Sequence, residues 1–194
     1  MTAGGSQGGV MKAVALPLLA LMLLTAVACT ESSTPERMRE FIALHATLRQ
    51  TQQNGTSVQK EQVPADRRKA LADFMAKGAA FTDWPVEVVD VRTEGGSGIG
   101  KLVSDKPVAV LRVTFGGIAL ENSYVEILME SPENVIAEGT PLYGQVTGLK
   151  KGQKVKVSGS FVANKEGLPR ELSLTVDGAL EKPEYVVVFT AVAP

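Results

Sequence analysis

Three periods of hydrophobic and polar positions follow one another along the chain: an unbroken apolar run (Ala13 to Ala28), then steps of three and four, then alternation. The middle stretch predicts two helices. Thr34-Pro35-Glu36 reads as an N-cap followed by proline at the first helical position. Met38, Phe41, Ile42, His45 and Leu48 then form a narrow stripe that ends before the Asn54-Gly55 turn signal. A second helix is expected from Pro64 to Lys77, with Ala70, Leu71, Phe74 and Met75 on its apolar face and Gly78 as its stop. Residues 34–80 are thus a predicted helical hairpin. Stripes shorter than three heptads favour a stalk or lid packed on the next domain over a coiled coil.

From Phe81 the period becomes two. Strands are predicted at Trp84 to Arg92, Lys106 to Phe115, Ser123 to Glu130, Leu142 to Val146, Lys154 to Val162, Glu171 to Asp177 and Tyr185 to Val192. Val155, Val157, Gly159 and Phe161 should face inward, and Lys154, Lys156, Ser158 and Ser160 outward. Ala109, Leu111, Val113 and Phe115 repeat the pattern. Seven short strands with little helical pattern between them predict a small barrel or sandwich over residues 81–194. The expected fold class is mainly β, within an α+β whole.

The apolar run has the order of an export signal: Lys12 supplies one positive charge, 16 uncharged residues follow, and small side chains end the run. Met1 to Val10 read as an upstream extension, with Met11 the more natural start. Leu24-Thr25-Ala26-Val27-Ala28-Cys29 resembles a bacterial lipoprotein lipobox, with Ala26 where that family favours leucine. The resemblance implies cleavage before Cys29, acylation of that cysteine, and residues 29–33 as a lipidated tether. Thr30 after the cysteine would, in lipoproteins of enterobacterial type, favour outer-membrane sorting. Ala26-Val27-Ala28 also fits ordinary signal peptidase. An uncleaved membrane helix is the weakest alternative, since 16 apolar residues interrupted by Pro17 fall short of the ~20 that span a bilayer.

The chain's single cysteine supports acylation, because no disulfide can form and lipid would consume an otherwise reactive thiol. Removing 28 of 194 residues leaves 166, enough for a core that needs neither disulfide nor metal. Loss of Lys12 takes the basic count from 20 to 19 against 21 acidic residues, a net charge near −2. No global attraction to nucleic acid follows from that balance.

The block from Gly139 to Phe161 carries a Leu-x-x-Gly-x-x-Val-x-Val-x-Gly phrase in Leu149, Gly152, Val155, Val157 and Gly159. With Trp84 opening the first strand, it resembles the tRNA-anti-like OB-fold domains of exported bacterial proteins. Physically, Gly152 would make a tight turn, the valines would face inward, and Gly159 would let a curled strand bend. The resemblance implies a binding domain and names no ligand. Outside the cytoplasm, an envelope glycan or a protein is a better partner than nucleic acid.

Candidate chemistry is sparse. Gly95 to Lys101 contains the spacing of a phosphate-binding loop, but Leu102 stands where Ser or Thr would hold Mg²⁺, and Val103 to Pro107 cannot begin the required helix. A hairpin loop is the better reading. Asn54-Gly55-Thr56 spells a glycosylation sequon and reads as a turn. Lys150, Lys151, Lys154 and Lys156 could draw an oligoanion, or could simply protect a strand edge. His45, the one histidine, lies on an apolar stripe and reads as a packing residue, which leaves no Ser-His-Asp, Cys-His or zinc set. Glu121, Glu126 and Glu130 flank a strand and read as a charged sheet face.

These readings converge on a lipid-anchored cell-envelope protein, a non-catalytic binding or assembly module facing the periplasm or cell exterior. Cys29 is the lipidation site. Lys151, Lys154, Lys156, Trp84, Tyr124 and Tyr143 are the candidate ligand-binding face. No cofactor or metal is expected. The alternatives are a carboxylate-dependent hydrolase of envelope glycans and an oligoanion-binding or nucleic-acid-binding OB domain.

Overall fold

The computed structural model describes residues 34–95, 106–122, 135–173 and 175–194. The export segment, Cys29, the glycine-rich loop after Gly95, the strand expected at Ser123 to Glu130, Tyr124, Glu126 and Glu130 lie outside the described residues.

Helix α1 (Glu36–Asn54) buries Met38, Phe41, His45 and Leu48, four members of the sequence stripe. Its N-cap residue is Pro35 and not Thr34, with no side-chain cap. Helix α2 (Ser57–Ala76) begins seven residues before the expected start at Pro64, which lies inside it. The reason is a capping box at Thr56: its hydroxyl accepts from the Gln59 N–H, and the Gln59 carbonyl oxygen accepts from the Thr56 N–H at 2.8 Å. Two free N–H groups at the helix start are thereby satisfied. Val63, Leu71 and Phe74 are the buried residues of α2. Arg37 joins the hairpin's open end, lying 4.3 Å over the Phe74 ring and donating to the carbonyls of Phe74 and Gly78.

The strands are β1 (Ala80–Glu94), β2 (Val108–Phe115), β3 (Ile118–Glu121), β4 (Ile136–Ala137), β5 (Lys154–Phe161) and β6 (Glu184–Ala193). Their order is β1-β5-β6-β3-β2-β4, and an added β1–β2 pairing closes five of them into an OB-like barrel, with β4 attached to β2. Neighbouring strands are antiparallel apart from β3 and β6, which run parallel.

Closure depends on the length of β1, whose first half pairs with β5 and whose second half pairs with β2. Register shifts between Phe81 and Trp84 and between Val88 and Asp90 bend it. Asp83 sits in the first bulge at φ +52°, held by its N–H donating to the Ser158 hydroxyl at 3.0 Å. A third shift falls between Ser158 and Gly159, where a Cβ on residue 159 would lie 2.1 Å from the Val188 carbonyl oxygen.

Two expected strands are helices. Leu142 to Val146 belongs to α3 (Pro141–Thr147), capped by the Thr140 hydroxyl and opened by Pro141. Glu171 to Asp177 reduces to an isolated bridge between Glu171 and Tyr185, followed by α4 (Val176–Glu181), capped by the Thr175 hydroxyl. In both segments a capping Thr outweighs a short apolar alternation.

Residues Thr34–Pro194 form one compact unit. Phe41 and Phe74 of the hairpin share a single core with Phe81, Trp84, Phe115, Phe161, Tyr185 and Phe189 of the barrel. Ring centroids of Phe41 lie 4.6 Å from Phe74, 5.0 Å from Phe161 and 5.3 Å from Tyr185, within the range where aromatic rings attract. At the other end, Val146 of α3 enters the same core, and Gln145, Gly148 and Leu149 line a cleft with Gln153 and Val192. The barrel is therefore filled with side chains and covered by helices at both mouths.

Candidate functional site

On β5 the inward and outward sets are those the alternation gives: Val155, Val157, Gly159 and Phe161 are buried while Lys154 and Lys156 are exposed. Gly152 makes the preceding turn at φ +80°, with its N–H donating to the Val88 carbonyl at 2.8 Å. Lys151 is exposed on that turn. Across the sheet, Glu87 of β1 is the register partner of Lys154, and Pro85 that of Lys156. Lys154 lines a cleft of about 390 Å³ with Thr34, Met38, Ile42, Pro85, Glu87 and Phe115. The lysine face thus lies beside the point where the described chain begins.

Trp84 does not join the expected face, and Tyr124 lies outside the described residues. Trp84 is fully buried, its ring 4.8 Å from Phe81 and 5.2 Å from Phe115, because it points into the barrel from the inward side of β1. Stacking a ligand on it would require opening the core. Tyr143 is half-buried on α3, packed against the same core.

A second polar region covers the outer face of β1, β2 and β3. Arg92 donates to Glu121 at 2.7 Å and to Glu94 at 2.7 Å, and approaches Asp90 at 3.4 Å. Arg112 pairs with Glu184 and lies 3.8 Å from the other Glu121 oxygen. Hydrogen bonding to Glu121 is the largest effect on Arg92 and pushes its pKa further above the ordinary range. Glu121 is only 7% exposed, so its carboxylate is held between two guanidiniums and not displayed to solvent. Among the described residues, two arginines and four carboxylates meet on this face.

A third set is buried between hairpin and barrel. His45 Nε2 lies 3.0 Å from the Tyr185 hydroxyl, which accepts from Arg67 at 3.2 Å, and Arg67 pairs with Glu171 at 2.5 Å. A guanidinium can only donate, so the hydroxyl accepts from Arg67. Towards Nε2 it can donate its own hydrogen or accept with its second lone pair, and Nδ1 is buried with no hydrogen-bond partner among the described residues. Burial, with Arg67 and Arg49 adding repulsion, lowers the His45 pKa to about 3 and keeps the ring neutral. Burial raises the Tyr185 pKa above its usual value. His45 is therefore a packing residue, as its place on the stripe indicates, with one polar tie across the fold. The ring meets Phe41 edge-on at 4.9 Å.

The arginine–carboxylate face and the His45 to Glu171 chain escape sequence reasoning because their members are dispersed. Arg92, Arg112, Glu121 and Glu184 share no motif, and only the β1–β2–β3–β6 pairing brings them together. Among the described residues no group of three His, Cys, Asp or Glu side chains is placed to hold a metal ion. No family model, no curated protein and no solved structure matches this chain.

Proposed function

We propose that this chain is a lipid-anchored cell-envelope protein, acylated at Cys29, whose barrel and hairpin act as a non-catalytic binding or assembly module. The supporting observation is the pairing of the carboxylates on the β1–β2–β3 face. A glycosidase needs two carboxyl groups facing a substrate across ~5 to 9.5 Å, one of them free to carry a proton. Asp90, Glu94, Glu121 and Glu184 are instead engaged by Arg92 and Arg112. The same pairing weighs against an oligonucleotide on this surface, which is where OB-type barrels commonly bind, because Arg92 and Arg112 are already engaged by carboxylates. With the barrel interior filled by aromatic side chains, recognition falls to the outer surface.

The test is the intact mass of the mature protein purified from membranes, beside the Cys29→Ala variant. A mass equal to residues 29–194 plus acyl chains, lost in the variant, supports the anchored reading. An unmodified Cys29 would make the protein a secreted or uncleaved species and remove the tether. Glycan hydrolysis by the wild type that disappears in Glu121→Gln would replace the binding reading with the hydrolase.

A further inference from the structure

We infer that the β5 lysine face, centred on Lys154 and Lys156, rests on the anionic lipid headgroups of the leaflet that carries the Cys29 anchor. The inference depends on the acylation proposed above. Thr34 and Lys154 line the same cleft, so the described unit begins beside this face. Only five residue steps separate Thr34 from Cys29, and a fully extended chain of that length spans at most about 18 Å. A lipid on Cys29 thus holds the Thr34 end of the unit close to the bilayer, and this end carries the lysines.

The charges fit that placement. Lys154 and Lys156 project from the outer side of one strand, and Lys150 and Lys151 occupy the turn that leads into it, all four exposed. Facing them are Glu87, opposite Lys154, and Asp83, which lies against Ser158. Among the described residues, four cations against two anions make this a locally positive surface on a mature chain whose net charge is near −2. Attraction of lysine to an anionic leaflet fades within a Debye length, roughly 8 Å at physiological salt, so a short tether is what makes such a patch effective. Pro85 and Ala193, the register partners of Lys156 on either side, add no opposing charge.

The mature protein purified from membranes is inserted into vesicles of phosphatidylcholine alone or of phosphatidylcholine with phosphatidylglycerol, and lysines are acylated with an amine-reactive ester and mapped by peptide mass. Lys165, exposed in the loop after β5, is the internal reference. The expected result is about fivefold slower labelling of Lys154 and Lys156, relative to Lys165, in the anionic vesicles, reversed by added salt. Equal labelling in both lipids, with the protein floating with both, overturns the inference and leaves the anchor standing. Failure to float with the neutral vesicles overturns the anchor and the inference with it. Protection by soluble polyphosphate without protection by anionic vesicles overturns the membrane assignment in favour of a soluble polyanion.

Discussion

The Nε2 of His45 and the hydroxyl of Tyr185 meet at 3.0 Å across 140 residues of sequence, both side chains shut away from solvent. Helix α1 is thus tied to strand β6 by a hydrogen bond from a ring that burial keeps neutral. The imidazole gains a proton near pH 6.5 in the unfolded chain but only at about 3 in the folded one. The unfolded state therefore binds the extra proton first, and stability present above pH 6.5 is lost as pH falls toward 3. Each pH unit in that window should cost about 1.4 kcal/mol from this group alone. Urea unfolding at several pH values should show a shallower acid slope in His45→Phe than in the wild type. Equal slopes would mean that the ring protonates in the folded state.

Phe41 tests whether the hairpin belongs to the barrel's core or merely leans on it. Its ring touches Phe74, Trp84, Phe161 and Tyr185. Phe41→Ala should lower stability by about 3 to 5 kcal/mol. Trp84 fluorescence and far-ultraviolet circular dichroism should still report one shared transition. Separate transitions for helix and barrel would contradict a common core.

Gly152 and Gly159 belong to one sequence phrase but are glycines for different reasons. At φ +80° with open space around it, Gly152 should accept alanine at a cost of about 1 kcal/mol. Gly159 has ordinary backbone but a carbonyl oxygen 2.1 Å from where a Cβ would lie. Gly159→Ala must push β6 away from β5, and should cost clearly more than Gly152→Ala in the same urea titration. The reverse order would mean that the β5–β6 contact yields easily.

Asn122, 2% exposed, continues the ladder past the end of β3 with its side chain. Its carbonyl oxygen accepts from the Leu111 N–H at 2.6 Å, and its amide donates to the Ala109 carbonyl at 2.9 Å. Asn122→Leu strands both backbone groups, and should destabilise by about 2 kcal/mol with an unchanged urea slope. A loss under half that size would show that water or a relaxed backbone replaces the amide.

Helix α1 and strand β5 are legible from their periods, and β1, β2 and β6 from eight or more residues rich in β-branched and apolar side chains, although β2 and β6 bury consecutive residues and do not strictly alternate. Short elements are not. Thr140-Pro141 carries the same cap-and-proline signal read at Thr34-Pro35, yet the alternation around Leu142 to Val146 obscured it. At Thr34-Pro35 the signal was one residue out of place. The Thr56-x-x-Gln59 box marks the true helix start, whereas Pro64 points to a later one because proline is commonest in a first turn. The strand β3 holds only four residues, and β4 two, too few for any period to declare itself.

Of the candidate face, the exposure of Lys154 and Lys156 is readable in the sequence and the burial of Trp84 is not. A strand's alternation says which side chains share a side, and on β5 the charges also say which side is wet. On β1 the run from Phe81 to Val91 mixes apolar and polar residues through two bulges, each of which moves later side chains to the opposite face. Only the closed barrel decides that Trp84 points inward. The sequence alone determined the stripe of α1, the alternation of β5, the glycine at the β5 turn and the exposure of Lys154 and Lys156, because these follow from local sterics and from the cost of burying charge. The tertiary structure decided which distant residues meet: Arg92 with Glu121, His45 with Tyr185, Phe41 with the barrel's aromatics. Such pairings depend on how strands close and where bulges fall, and no local pattern encodes them.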